Sequence, residues 1–96
     1  MNRTKAKSML GSMLCDIQDK SEILFFLEQV LTTAEINDVL DRLRIYQALS
    51  CTDTPQRECA KKLNVSISKI TRGAANLHNA KAKAYWQSKF GCNDKE

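Results

Sequence analysis

The chain has 96 residues, 43% of them hydrophobic, with 15 Lys and Arg against 11 Asp and Glu, three glycines and one proline. That length excludes an α/β barrel or two independent cores, and the composition excludes a disordered or collagen-like chain. With 6% aromatic residues and few turn formers, helices are favoured over strands. A chain this short buries only about 60–65% of its unfolded surface, so a monomer needs a disulfide, a metal or a second subunit to support it.

Met9, Leu10, Met13, Leu14 and Ile17 recur at helical spacing and predict a first helix over about residues 4–18. Arg3, Lys5 and Lys7 imitate the start of a secretion signal, but the following stretch is short, meets Asp16 and lacks a small-x-small cleavage pattern. Residues 12–15 also fail as a lipobox. Asp19-Lys20-Ser21 breaks this helix, and Ser21 is expected to cap a second one running from Glu22 to about Val30. Ile23, Leu24, Phe25, Phe26, Leu27 and Val30 leave that helix apolar on nearly every side, which predicts burial all round. Thr32 and Glu35 form a capping box for a third helix. Its stripe of Ile36, Val39, Leu40, Leu43, Tyr46 and Leu49 is the longest regular one in the chain and marks the central strut.

Thr54 is expected as the N-cap of a fourth helix, with Pro55 at its first position, where a missing N–H costs nothing. This helix, ending at Leu63, should bury Cys59, Ala60 and Leu63, and Asn64 suits the left-handed residue after it. Ser66 can cap a fifth helix carrying Ile67, Ile70, Ala74 and Leu77, and Asn79 a last one carrying Ala82, Tyr85, Trp86 and Phe90, with Gly91 as its stop. No run alternates long enough for a strand, so the fold class is all-α, with about six helices in one domain over 1–96. Residues 1–53 are expected as dimerisation core helices, 54–79 as a helix-turn-helix, and 80–93 as the C-terminal helix.

The cysteines, Cys15, Cys51, Cys59 and Cys92, are spaced 36, 8 and 33 apart, with no C-x-x-C and one histidine, His78. Zinc needs ligands in close pairs, so no metal site is expected. The longest apolar run, Ile23 to Leu27, falls far short of the ~20 residues that span a bilayer. These features predict a cytoplasmic protein with reduced, mostly buried thiols and no membrane partner. A second subunit then becomes the leading stabiliser.

Charge is unevenly spread. Residues 56–90 hold eight basic groups and one acidic group, whereas 21–55 hold two basic and six acidic. A cationic block of this kind is either a solvated lysine-rich surface or a surface for a polyanion, most commonly nucleic acid. Its coincidence with two short helices joined by a tight turn favours a DNA-binding helix-turn-helix. The second helix of such a unit enters the major groove by its N-terminal end, which puts Ser66, Ile67, Ser68 and Lys69 at bases or phosphates. Gln56 and Arg57 can also reach the groove, and the arginine fork matches a guanine edge.

Leu-Thr-Thr-Ala-Glu at 31–35, Arg-Leu-Arg-Ile at 42–45, Gln-Arg-Glu at 56–58 and Ile-Thr-Arg-Gly at 70–73 followed by Leu77 resemble the bacterial trp repressor family. The resemblance runs from about Leu31 to Ala80 without an insertion, and the first helix looks shorter than usual. It implies an intertwined homodimer that binds operator double-stranded DNA when charged with L-tryptophan as corepressor, with no other cofactor. The resemblance also implies helix-turn-helix docking with water-mediated base contacts, both known for that family. Within the recognition helix, Thr71 and Arg72 join the implied DNA-contacting residues.

The implied ligand site has a consistent chemistry. Arg42 and Arg72 supply two guanidinium planes for an indole, and the Arg72 fork also suits the carboxylate. Carbonyls around Gln29, Leu31 and Thr32, contributed by the other subunit, suit the ammonium group. Gly73 leaves room beside the ring. Asn76 stands where the family usually has a serine near the indole N–H, and its carbonyl can accept the same bond. Ala60 stands where a lysine is usual, and Lys69 replaces a threonine. Apart from the ligand role, Arg42 can pair with Asp38 four residues earlier. A helix-turn-helix protein with no small-molecule corepressor is the second function class, and an RNA-binding or purely structural helical protein the third. An enzyme is disfavoured: the sequence has no glycine-rich phosphate loop and no paired carboxylates at a plausible site, so no catalytic residue is assigned.

Overall fold

The computed structural model describes residues 1–92. Six helices follow in order: α1 Arg3–Asp16, α2 Lys20–Val30, α3 Thr33–Cys51, α4 Gln56–Leu63, α5 Ile67–Asn76 and α6 Ala80–Phe90. Among the described residues there is no strand. The expected limit of the last helix at residue 93 lies outside them. Contacts divide the chain into two units, Met1–Ile36 and Asn37–Glu96, with α3 beginning in the first and continuing into the second.

Local chemistry sets most helix ends. The Asn2 side chain accepts from Lys5 N at 2.9 Å and starts α1. Asp19, not Ser21, caps α2: its Oδ2 accepts from Glu22 N at 3.1 Å, while the Ser21 hydroxyl donates to the same carboxylate. An aspartate brings its negative charge to the positive helix end as well as an acceptor, so it wins the position. The Thr32–Glu35 box forms as expected, with Glu35 N donating to Thr32 Oγ1 at 3.1 Å and Thr32 N to Glu35 Oε1 at 2.8 Å. Thr54 is not a cap. Its hydroxyl accepts from the Thr52 hydroxyl, and Pro55 takes the cap position of α4 without a side-chain bond.

Asn64 adopts the left-handed conformation (φ 58°, ψ 48°) after α4, and Ser66 caps α5 by accepting from Lys69 N at 3.2 Å. These two residues make the turn of the helix-turn-helix. Asn79 accepts from Lys81 N and Ala82 N to start α6, and Gly91 ends it at φ 73°.

The core of the second unit is Ile45 from α3, Cys59 from α4 and Ile70 from α5, with Ala48, Leu49, Ala60, Leu63 and Val65 packed against it. The turn is therefore clamped from beneath by α3. Ile45 is absent from the α3 stripe read from the sequence. Of that stripe Tyr46 goes inside, but Val39 is 41%, Leu40 51% and Leu43 37% exposed, and Ile45 and Ser50 are buried beside Tyr46. So α3 has two apolar faces, one filled within the unit and one bare. The expected burial of α2 is not met in the single chain either, since Leu24, Phe25 and Val30 are more than half exposed. One chain this small has too little mass to cover a helix that is apolar all round.

The thiols also differ from expectation. Cys51 at the end of α3 is disulfide-bonded to Cys92 just beyond α6, with Cα atoms 5.6 Å apart. Of the free cysteines, Cys59 is buried and Cys15 exposed. Widely spaced cysteines hide such a pairing, because helix packing and not sequence distance brings them within reach. Beside it, Gln87 Nε2 donates to Ser50 O at 2.9 Å, a second link between α6 and α3.

Candidate ligand pocket and nucleic-acid interface

Helices α3 and α5 line a half-open cavity of about 460 Å³ within the second unit. That volume is in the range of small-molecule sites. Arg42 from α3 and Arg72 from α5 line it together, as do Gly73 and Asn76. Two carboxylates, Asp38 and Asp41, and the Lys69 ammonium complete its polar wall, while Ile45 and Ala75 supply apolar surface. Four of the residues implied by the resemblance are thus brought to one place. Gln29, Leu31 and Thr32 belong to the first unit, at the junction of α2 and α3, where the Thr32 carbonyl already accepts from Ile36 N at 2.9 Å.

The glycine has a packing cause. A Cβ on Gly73 would fall 2.6 Å from Ile45 Cγ2 and 3.8 Å from Tyr46 Cε1. Its missing side chain lets α5 approach α3 closely at the wall of the cavity.

Charge pairing differs from the local expectation. Asp38 does not pair with Arg42; its Oδ1 lies 3.4 Å from Lys69 Nζ, and Asp41 Oδ2 lies 3.0 Å from the same atom. Asp41 also holds Arg44 at 3.0 Å, and Arg44 donates to Leu63 O at 2.6 Å, tying α3 to the end of α4. The Lys69 hydrogen bond, aided by the Lys69 and Arg44 charges, holds the Asp41 carboxyl below its ordinary value, against a smaller upward push from burial. Lys69 is raised in turn, first by its bond to Asp41 and then by that to Asp38. Arg42 makes no ion pair among the described residues, so its guanidinium is available to a ligand.

Asn76 is anchored as well: its Nδ2 donates to the Tyr46 hydroxyl at 2.9 Å. Neither Tyr46 nor Asp41 stands out in the sequence as part of the site. Tyr46 sits in an apolar stripe and reads there as core, and Asp41 reads as one more charge on a solvated face.

The DNA candidates lie at the starts of α4 and α5, with Thr71 and Arg72 midway along α5. Gln56, Arg57, Ser66, Ile67, Ser68, Thr71 and Arg72 are all exposed, and Ile67 is 47% exposed despite its apolar side chain. Two carry internal bonds: Ser66 through its cap, and Thr71 through its hydroxyl to Ile67 O at 2.9 Å. A second cavity of about 340 Å³ lies between α4 and the start of α5, lined by Arg57, Ala60, Lys61 and Ile67. Lys69 is the exception, because its ammonium is turned to the acids of α3.

Among the described residues, no helix is long and apolar enough to cross a membrane, and no group of three His, Cys, Asp or Glu could hold a metal ion.

The family described as "Trp repressor protein" matches residues 5–87. A "Trp operon repressor homolog" of Xylella fastidiosa strain 9a5c is 45% identical over 90 residues, covering 94% of this chain and 98% of its own length. Proteins of the same description from strains M23 and Temecula1 match to the same extent. No solved structure matches. A family match over most of the chain, joined to near-complete coverage of these relatives, shows that the chain belongs to the Trp repressor family.

Proposed function

We propose that this chain represses transcription as a homodimer whose grip on operator DNA is switched by L-tryptophan bound between α3 and α5. Family membership makes it a tryptophan-responsive transcriptional repressor; the proposal concerns which residues do the work. The observation that carries it is the cavity lined by Arg42 and Arg72, one on the strut and one on the recognition helix. A ligand held by both ties the recognition helix to α3. Arg42 and Arg72 take the two faces of an indole, the Arg72 fork takes the carboxylate, and the Asn76 amide accepts the indole N–H. Gln29, Leu31 and Thr32 of the partner subunit offer carbonyls to the ammonium group. The exposed Leu24, Phe25, Val30, Val39, Leu40 and Leu43 supply the apolar surface that a second copy would cover.

On the DNA side, Arg57 and Gln56 read base edges, Ile67 meets a thymine methyl, and Ser66, Ser68, Thr71 and Arg72 contact phosphates or bases; Lys69 joins them only by leaving Asp38 and Asp41. A dimer sets the two recognition helices one DNA turn apart, about 34 Å. Such a repressor works where the chromosome is, in the cytoplasm.

Ligand and operator then favour each other reciprocally, typically by ~1–3 kcal/mol. In an anisotropy titration, tryptophan should tighten operator binding about 5–150-fold, and Arg72→Ala should abolish that response. One observation favours a second reading, a helix-turn-helix protein indifferent to small molecules. Lys69 already ties α5 to α3 without a ligand. That reading predicts identical operator affinity with and without tryptophan.

A further inference from the structure

We infer that Asp41 is the positioning residue that fastens both helices of the helix-turn-helix to α3 before any ligand binds. Each of its carboxylate oxygens is committed to a different cation. Oδ2 lies 3.0 Å from Lys69 Nζ, in the first turn of α5. Oδ1 lies 3.0 Å from Arg44 Nη1, and the other arm of that guanidinium, Nη2, donates to the carbonyl of Leu63, the last residue of α4. Chemistry fixes the direction of every bond in this chain of contacts. An ionised carboxylate and a carbonyl only accept, whereas ammonium and guanidinium groups only donate. Asp38 adds a longer contact to Lys69, at 3.4 Å, from a more exposed side chain.

The place of Asp41 on α3 matters as much as its pairing. It precedes Ile45 by four residues, one helical turn, and Ile45 is the α3 residue in the core with Cys59 of α4 and Ile70 of α5. Asp41 and Lys69 also line the cavity shared by Arg42 and Arg72, so the tie and a ligand held there act across the same gap between α3 and α5. The cavity is open while the tie is made, and both therefore favour one arrangement of the helices. A tie that orders α5 in advance lowers the ordering cost that binding must meet, which tightens a ligand without touching it. With 25% of the Asp41 side chain, 41% of Lys69 and 48% of Arg44 exposed, each pair contributes modestly. The bonds form without tryptophan, so this role stands apart from the corepressor reading.

The test measures amide hydrogen exchange on the ligand-free full chain, and calorimetric affinity for L-tryptophan, in the parent, Asp41→Asn, Lys69→Met and Arg44→Met. Asp41→Asn should speed exchange in both α4 and α5, about 1.4–5-fold for each pair lost, with the amides of α6 unchanged as the internal reference. Lys69→Met should act chiefly on α5 and Arg44→Met chiefly on the end of α4. Adding Lys69→Met to Asp41→Asn should change α5 little further, the signature of a coupled pair. Tryptophan affinity should fall by about 1.4–5-fold in both Asp41→Asn and Lys69→Met. The shared sign separates positioning from charge: removing a carboxylate and removing an ammonium from one wall would move the affinity in opposite directions by electrostatics alone, whichever way the ligand lies. Unchanged exchange in α4 and α5 of Asp41→Asn, acceleration spread equally into α6, or affinity changes of opposite sign would overturn the inference. A parent chain that does not bind tryptophan would sink the corepressor reading, and the exchange pattern would still decide this one.

Discussion

Lys69 shows how a single side chain can be claimed by two surfaces. It sits in the first turn of α5, where a recognition helix meets DNA, yet its ammonium is bonded to Asp41 and Asp38 on α3. The signs of the two shifts define when this tie exists. Asp41, held below its ordinary 3.8, contributes stability that is present above that value and lost as the pH falls through the lower folded one. Lys69, raised above its ordinary 10.5, contributes below that value and loses the contribution as the pH rises through the higher folded one. At neutral pH both contributions are present. Replacing Lys69 with Met should move the Asp41 carboxyl up towards its ordinary value, read by carbon-13 titration. A titration unchanged from the parent's would mean that the pair is absent in solution.

At the scale of the helices, what could be read from the sequence was local. The Thr32–Glu35 box, the Ser66 and Asn79 caps, the left-handed Asn64 and the Gly91 stop each depend on residues three or four apart, and all appear as expected. The errors at helix starts were choices between neighbours, Asp19 over Ser21 and Pro55 over Thr54. The links that shape the cavity span far more chain: 28 residues from Asp41 to Lys69 and 30 from Tyr46 to Asn76. No periodicity encodes them, because they exist only once Ile45, Cys59 and Ile70 have packed α3 against the helix-turn-helix. The arginines were legible because a specific run of residues carried them, whereas Tyr46 was concealed by its own helical stripe.

The disulfide is the extreme case, joining α3 to the end of α6 across 41 residues. A native cross-link of this loop length typically contributes about 2–4 kcal/mol, mainly by restricting the unfolded chain. Cys51→Ser, or reduction of the parent chain, should lower the melting temperature by roughly 8–30 °C, taking about 4–8 °C per kcal/mol for a domain of this size. Equal melting with and without reductant would show that the pair contributes nothing.

For the whole molecule, the short length that opens the problem is matched by the apolar surface left bare. Phe25 is 60% exposed, Leu24 52% and Val30 55% in the first unit and Leu40 51% in the second, a large apolar exposure for a chain this small. A second copy offers the same surface and satisfies both chains by symmetry. Sedimentation should therefore give a dimer for the parent chain and a shift towards monomer for Leu40→Glu, since burying a lone carboxylate costs far more than an exposed leucine gains. A parent chain that sediments as a monomer at micromolar concentration would contradict this arrangement.

Tryptophan is proposed to act through Arg42 and Arg72, making the recognition helix competent for DNA. The most direct test titrates labelled operator duplex with the parent chain and with Arg72→Ala, each with and without saturating L-tryptophan. The account predicts a tightening of about 5–150-fold for the parent chain and none for the variant. Equal operator affinity of the parent chain in both conditions would contradict it.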